Sequence, residues 1–374
     1  MEWNTEIPEN SLSEDSTDFY TYIQYLEAIS GLALEEINFD ELGFDPKLLL
    51  IAYSMLSAFT LLGITGNVFS MIVWSRPQLK SSSAVLLTAL AASDIVIVTS
   101  TNTWQLLATL ILNYRTPFFE WLYYNIFPFI VVWMDPIALM SEMASTYLTV
   151  AITLERYIAV CHPFYYQELC SYGRSCKTAG IVIIVSILYN LIEFWSAEVR
   201  PHFHEEKNMT IYGVHETKLW KSPSVVKDIY ENHLFLFVMY LFPLASISIL
   251  NIAMCRQGNE ERKLTDLQKK ERRLTMMLVY VVVEFAVCTA TIGFIGLCDL
   301  LDVSRFQIGF DMFWMAPLMV FSRTFNSSVN FITYITFGGP FRQTFMEMFC
   351  CCQDPPAASV EPEQTDPEDQ ETSV

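Results

Sequence analysis

Long apolar blocks dominate the sequence and set the first expectation about its fold. Seven such blocks can be traced, at roughly 48–74, 84–111, 126–154, 178–196, 233–255, 274–298 and 312–337. A helix needs about 20 apolar residues to cross the ~30 Å hydrocarbon layer of a bilayer. The first and fifth blocks contain no Asp, Glu, Lys or Arg. The pattern therefore predicts an all-α membrane protein, a bundle of seven transmembrane helices.

Composition supports this interpretation once the charges are mapped along the chain. Charged residues make up 17% of the sequence, against about 25% in soluble domains. The formal net charge of −19 resides in two tails, because residues 1–46 hold 12 acids and residues 353–374 hold seven, without any Lys or Arg. We expect disordered acidic tails at 1–46 and 353–374, a bundle over 47–338 and a short amphipathic helix with cysteines over 339–352.

The basic residues between the blocks predict which way the helices face. Thirteen Lys and Arg lie on the side of the C-terminal tail and eight on the side of the N-terminal tail, and cytoplasmic segments carry the excess. We expect a plasma-membrane protein with its N-terminus outside and its C-terminus in the cytoplasm. No basic stretch precedes an apolar core near residue 1, so no cleavable signal peptide is expected. Asn208-Met209-Thr210 then lies outside, as a glycosylation sequon.

A carboxyl group near the middle of the second block needs a physical reason, because a charge there costs at least ~2.5–3.5 kcal/mol. Asp94 is that residue, and Asn67, Ser145, Asn326 and Asn330 are placed to converge on it from other helices. One interpretation is a neutral carboxyl that is hydrogen-bonded between helices. The interpretation we favour is a cation or proton site that differs between two conformations.

Charges in the third and seventh blocks suggest a second polar site. Asp135 and Glu142 lie on one helix face, two turns and about 10 Å apart, and Arg323 lies at a depth comparable to that of Glu142. A Glu142–Arg323 pair would satisfy both charges, either as a structural bridge or as a ligand contact. Aromatic residues such as Trp104 and Trp314 either line a pocket there or form an interfacial belt.

The third block ends in a charged boundary that is open to two interpretations. Arg156, beside Glu155, either extends to the membrane interface as an ordinary basic residue or forms a switch that releases when helices move. Glu271, at the start of the sixth block, is the candidate partner for such a switch.

Residues after the seventh block suggest contacts with lipid and with a partner protein. Phe341, Phe345, Met348 and Phe349 recur at helical spacing, which predicts a helix lying on the membrane. Cys350, Cys351 and Cys352 follow as palmitoylation candidates. The end Thr372-Ser373-Val374 is similar to peptides that add a strand to a PDZ domain, which we keep as a hypothesis.

Several motifs, each on the matching helix, resemble those of the rhodopsin-like receptor superfamily between residues 63 and 350. They are Gly66-Asn67-Val68, Leu90-Ala91-Ala92-Ser93-Asp94, Glu155-Arg156-Tyr157, Pro243 and Asn330-Phe331-Ile332-Thr333-Tyr334. A narrower resemblance, to invertebrate FMRFamide-type neuropeptide receptors, rests on SRPQLKSSS, ERYIAVCHPFYYQELCSYGR, YNLIEFW and FNSSVNFITY. It implies a receptor for short amidated peptides that activates a heterotrimeric G protein.

The same resemblance assigns roles to individual residues. It implies a sodium-linked core at Asp94, Ser145, Asn326 and Asn330, a G-protein switch at Arg156 with its motif neighbours Glu155 and Tyr157, and movement of two further residues on activation, Pro243 and Tyr334. The acidic tail 1–46 would attract a cationic peptide, although disorder alone also explains such a tail.

The sequence departs from the receptor pattern at several positions. Val131 stands where a disulfide-forming Cys is usual, and the long loop 197–232 contains no Cys. The sixth block has Cys288-Thr289-Ala290-Thr291 in place of the usual Trp and Pro, Phe331 replaces a Pro, and Asn251 replaces a Tyr. A divergent chemosensory or non-signalling receptor is therefore the alternative.

Two other classes of membrane protein fit the sequence less well. A transporter would show internal repeats, and none is visible. An intramembrane enzyme would need a catalytic constellation, and no His lies near the centre of a block. We therefore expect a receptor without enzymatic activity.

Overall fold

The fold is taken from a computed structural model of the chain. It describes residues 46–113, 116–204, 209–221, 225, 228–258, 280, 283–290 and 312–349. The tail residues 1–45 and 350–374, the sequon residue Asn208 and the candidate switch residue Glu271 lie outside the described residues, so the predictions made for them are not addressed by the structure.

Helices make up most of the described chain. In chain order they are α1 (Pro46–Trp74), α2 (Ser82–Asn113), α3 (Pro117–Asn125), α4 (Phe127–Cys161), α5 (Pro163–Leu169), α6 (Tyr172–Asn190), α7 (Phe242–Gly258), α8 (Met312–Phe337) and α9 (Gly339–Phe349). Short 3-10 helices occur at Pro77–Leu79 and Leu191–Trp195, and π-helical segments at Asp228–Phe235 and Phe237–Leu241 precede α7. Residues 283–290 are also helical.

The helices extend beyond the apolar blocks that predicted them. The third block ends at residue 154, whereas α4 continues to Cys161, and the fourth begins at residue 178, whereas α6 begins at Tyr172. Hydropathy locates the part of a helix that sits in hydrocarbon, but backbone hydrogen bonding continues into polar sequence. The predicted ends were therefore too short at these two helices.

Five helical stretches of the described chain are long and apolar enough to cross a membrane. They are Ser54–Trp74, Ser82–Thr103, Phe127–Cys161, Tyr172–Trp195 and His233–Gln257. In α6, Ile181, Ile184 and Leu188 are each more than half exposed. Their helical spacing makes one continuous apolar face, as expected where a helix borders lipid.

Close helix approach explains two glycines of the first span. A Cβ atom at Gly66 would lie 2.8 Å from Phe331 Cβ in α8, and one at Gly63 would lie 2.5 Å from Ser328 Oγ. Small residues let transmembrane backbones approach in this way. The packing of α1 on α8 therefore requires glycine at position 66 and favours it at position 63, where the Ser328 hydroxyl would have to turn away.

The segment 197–232 was expected to be a long loop, but it contains a β-hairpin. Strands β1 (Ala197–His204) and β2 (Met209–Glu216) pair in antiparallel register, from Ala197 opposite Glu216 to His204 opposite Met209. Ile211 and Val214 are both buried, and because three residues separate them along β2 their side chains lie on opposite faces of the strand. Apolar burial on both faces therefore helps to hold the hairpin in place.

The hairpin contacts the N-terminal part of α4, where the rings of Phe129 and Tyr212 are 5.3 Å apart. Arg156 lies near the opposite terminus of the same helix. These two landmarks define a hairpin end and an Arg156 end of the bundle.

Candidate functional site

An ion pair joins α4 to α8 inside the bundle. Arg323 Nε lies 2.9 Å from Glu142 Oε2, and the Tyr240 hydroxyl donates to Glu142 Oε1 at 3.4 Å. Glu142 is only 7% exposed. Each carboxylate oxygen thus has its own partner, and removing either charge would leave the other buried alone. The structure forms the pair for which the sequence offered two interpretations.

Asp135 extends this charged site toward the hairpin end. Its half-buried carboxyl interacts electrostatically with Arg323, and seven residues separate it from Glu142, about 10 Å along the helix. The side chains of Trp104 and Trp314 lie outside the described part of the structure. Trp133, by contrast, is 60% exposed and contacts Phe194 at 5.3 Å, so it faces outward from the bundle.

A small cavity of about 20 Å³ adjoins the ion pair. Its lining residues come from several spans and combine polar and apolar surface: Ile97, Glu142, Ser145, Thr146, Tyr240, Phe285, Cys288, Thr289, Ser322, Arg323, Asn326 and Ser327. A volume of this size holds about one water molecule or a small ion. Because Ser145 lies in this lining, the cavity connects the ion pair to the carboxyl of Asp94.

Asp94 is completely buried and hydrogen-bonded from two other helices. Ser145 Oγ donates to its Oδ1 at 2.8 Å, and Asn330 Nδ2 donates to its Oδ2 at 2.7 Å. Asn67 instead donates to backbone carbonyls, of Ser327 at 2.7 Å and Gly63 at 2.9 Å. Two of the predicted residues therefore contact Asp94 directly, whereas Asn67 ties α1 to α8.

Arg156 is buried at its end of the bundle with several oxygen partners. Its guanidinium lies 2.5 Å from Glu155 Oε1 and donates to the Tyr166 hydroxyl at 3.1 Å and to Ser83 Oγ. Ser82 Oγ in turn donates to Glu155 at 2.9 Å. The sequence alone gives no signal for Ser82, Ser83 and Tyr166, because hydroxyl-bearing residues are too common to single out without knowing which helices pack together.

Tyr157 does not share in this cluster. Its hydroxyl lies 3.3 Å from His162 Nε2, in a more exposed position. Of the predicted switch residues that are described, Glu155 and Arg156 are thus together and Tyr157 stands apart.

Tyr334 is buried in an aromatic cluster where α1, α8 and α9 meet. Its ring lies 5.6 Å from Trp74 and 5.4 Å from Phe341. One residue away, Thr333 donates to Glu284 Oε1 at 2.7 Å. The described part of the sixth span is therefore bonded to α8 close to Tyr334.

The motif positions and this geometry agree with one family. The model of the 7 transmembrane receptor (rhodopsin family) matches residues 66–334. The chain belongs to the rhodopsin family of seven-transmembrane receptors. The predicted resemblance and the seven-helix bundle are thereby confirmed, and a member of this family is a multi-pass plasma-membrane protein.

Relatives within the rhodopsin family include several peptide receptors. The FMRFamide receptor of Drosophila melanogaster is 35% identical over 77% of this chain and 52% of its own length. The FMRFamide peptide receptor frpr-18 of Caenorhabditis elegans is 28% identical over 78% and 68%, and the allatostatin-A receptor of Bombyx mori is 24% identical over 78% and 77%. The chain thus spans about half the length of the Drosophila FMRFamide receptor.

Proposed function

We propose that the chain is a receptor for a short, C-terminally amidated peptide of the FMRFamide class, and that it transmits binding to a heterotrimeric G protein. The observation that carries the proposal is similarity to two FMRFamide receptors over more than three quarters of this chain. The polar connection from the ion pair through the cavity to Asp94 gives the signal a physical path.

The peptide site is proposed at the hairpin end, with that end and the N-terminus outside the cell. Asp135 offers a carboxylate to a cationic ligand, and the acids of residues 1–46 would raise the encounter rate with it. Glu142 and Arg323 would form the floor of the site, with Trp104 and Trp314 as further candidates. Asn208 would be glycosylated on this side.

The switch is proposed to run from Asp94 to Arg156. Oxygen atoms of Asp94, Ser145 and Asn326 are the donors that hard cations take, which supports sodium as an ion bound in the resting state. Arg156 would leave Glu155 and Tyr166 when a G protein binds, while Tyr334 moves. Glu271 and Tyr157 remain candidate participants.

Attachment to the inner leaflet is proposed for α9. Phe341 and Thr344 are its buried residues, whereas Met346 and Phe349 are each 43% exposed, so an apolar surface is left for lipid. Palmitoylation of Cys350, Cys351 and Cys352 would strengthen the attachment. A PDZ protein at Thr372-Ser373-Val374 would be recognised through the terminal carboxylate, and Val374→Asp would abolish its capture.

The function is tested with a panel of amidated peptides on cells that express the chain, with G-protein activation as the readout. We expect activation by FMRFamide-like peptides and none by the same peptides with a free C-terminal carboxylate. Silence across the panel at normal surface expression would reject the ligand class. Saturable peptide binding without G-protein activation would instead show a non-signalling receptor.

A further inference from the structure

The fifth span begins with unusual backbone winding. Two π-helical segments, Asp228–Phe235 and Phe237–Leu241, precede α7. Such winding is rare and is often found at functional sites. It lies beside the ion-pair site, because Tyr240 in the second segment bonds to Glu142.

Three aromatic residues recur at intervals of five along this segment: Tyr230, Phe235 and Tyr240. In an α-helix the fifth residue along lies about 140° round from the first, since each turn takes 3.6 residues. In a π-helix, hydrogen bonds join residues five apart, so the fifth residue along lies much nearer to the face of the first than it does in an α-helix. The π winding is therefore what brings the three rings onto one face.

Together with Trp220, these rings form a continuous aromatic column. Trp220 lies 5.9 Å from Tyr230, Tyr230 lies 6.4 Å from Phe235, and Phe235 lies 5.9 Å from Tyr240, measured between ring centroids. Trp220 and Tyr230 are 1% and 7% exposed, and Tyr240 is 6% exposed. The column is thus a packed internal structure.

One end of the aromatic column is attached to the hairpin and the other end to the ion pair. At one end, the backbone N–H of Trp220 donates to the backbone carbonyl of Thr217 at 3.1 Å, in the turn that follows β2. Thr217 Oγ1 donates to the carbonyl of Trp195 at 2.6 Å. At the other end, the Tyr240 hydroxyl donates to Glu142, the partner of Arg323. The column therefore links the base of the hairpin to the ion pair.

We propose that the aromatic column couples the hairpin to the Glu142–Arg323 ion pair, with Tyr240 as the positioning residue for Glu142. A change from π to α winding would rotate Phe235 and Tyr240 to different faces, so the column and the bond to Glu142 would be lost together. Such an element with two discrete arrangements is what coupling between separated sites requires. The role of this coupling in peptide signalling rests on the proposed function.

A fluorine probe at position 240 tests the coupling without any ligand. The full-length chain carries 3-fluorotyrosine at position 240 in lipid nanodiscs, and the fluorine resonance reports the environment of the hydroxyl. We expect Trp220→Leu and Phe235→Leu to move the resonance, whereas Trp220→Phe keeps a ring and leaves it near its original position. Phe237→Leu is the matched control, since Phe237 lies in the same segment and is 54% exposed.

The proposal is overturned if Trp220→Leu and Phe235→Leu leave the resonance within the range of the Phe237→Leu control. If Trp220→Leu does not fold, Tyr230→Leu decides by the same criterion, because Phe235 separates Tyr230 from Tyr240 in the column, whereas loss of the adjacent Phe235 ring shifts the resonance directly. The second readout uses an amidated peptide that activates the receptor, for which Trp220→Leu should reduce potency at least about fivefold. A moved resonance without any active peptide keeps the coupling and rejects the ligand class. An unmoved resonance together with normal activation by the peptide rejects the coupling and keeps the ligand class.

Discussion

At the scale of single residues, both the proposed ligand site and the aromatic column depend on the ion pair between Glu142 and Arg323. The sequence placed both charges at similar depth, and the structure brings Arg323 Nε within 2.9 Å of Glu142. Burying two charges costs desolvation energy, so such a pair adds little net stability, while breaking it is expensive. A structural bridge and a ligand contact would therefore both lose function when one partner is removed.

A charge swap separates these two roles. Arg323→Glu alone should destabilise the receptor by about 3–5 kcal/mol, because two carboxylates would then share the site. The double change Glu142→Arg with Arg323→Glu should restore thermal stability and surface expression. If peptide potency stays lost in this double variant, the pair contacts the ligand. Restored potency would show a purely structural bridge.

At the scale of helices, the packing of α1 on α8 shows how a family departure is accommodated. Phe331 stands where the family usually has proline, and its ring packs against Phe341 at 6.2 Å and Phe345 at 5.5 Å. Its Cβ occupies the space that a side chain at Gly66 would need. The departure at Phe331 and the glycine at position 66 therefore belong to one close contact.

Gly66→Ala should destabilise the bundle by about 1–3 kcal/mol, the usual effect of overpacking a core. The reason is the 2.8 Å approach of the added Cβ to Phe331 Cβ. Gly180→Ala is the matched control, since a Cβ there meets nothing within 4 Å; it should leave the melting temperature unchanged or raise it. Equal melting temperatures for the two variants would contradict the close contact.

At the scale of the whole molecule, a hydrogen-bonded cluster around Arg156 joins three helices of the described structure at one end of the bundle. Arg156, buried beside Glu155, also contacts Ser83 in α2 and Tyr166 in α5. Hydrogen bonds to charged groups contribute about 1.5–3 kcal/mol each. Losing one of them should shift the equilibrium toward the proposed G-protein-binding form.

Tyr166→Phe removes the hydroxyl that Arg156 and Glu155 share, without removing the ring. We expect basal G-protein nucleotide exchange to rise, by about tenfold for each 1.4 kcal/mol of stabilisation that the Arg156 cluster loses. Tyr165→Phe is the control, because Tyr165 is adjacent in sequence and 59% exposed. Unchanged basal exchange in Tyr166→Phe would show that this contact does not restrain the receptor.

The apolar blocks were enough to predict the bundle, because lipid leaves a spanning chain few alternatives to helix. They also placed Asp94 near Ser145 and Asn330, since depth along each helix follows from residue number. The partners of Arg156 could not be predicted, because they depend on which helices become neighbours. The π winding escaped prediction for another reason: residues spaced by five show no period of an α-helix or a strand.

The hairpin has a consequence for how the protein can be made. Its strands and the loop 197–232 that contains them hold no cysteine, and the burial of Ile211 and Val214 stabilises the hairpin instead. Formation of this element therefore needs no oxidant and no thiol-exchange catalyst. Cell-free synthesis in a reducing mixture, with nanodiscs supplied during translation, should yield a correctly assembled hairpin.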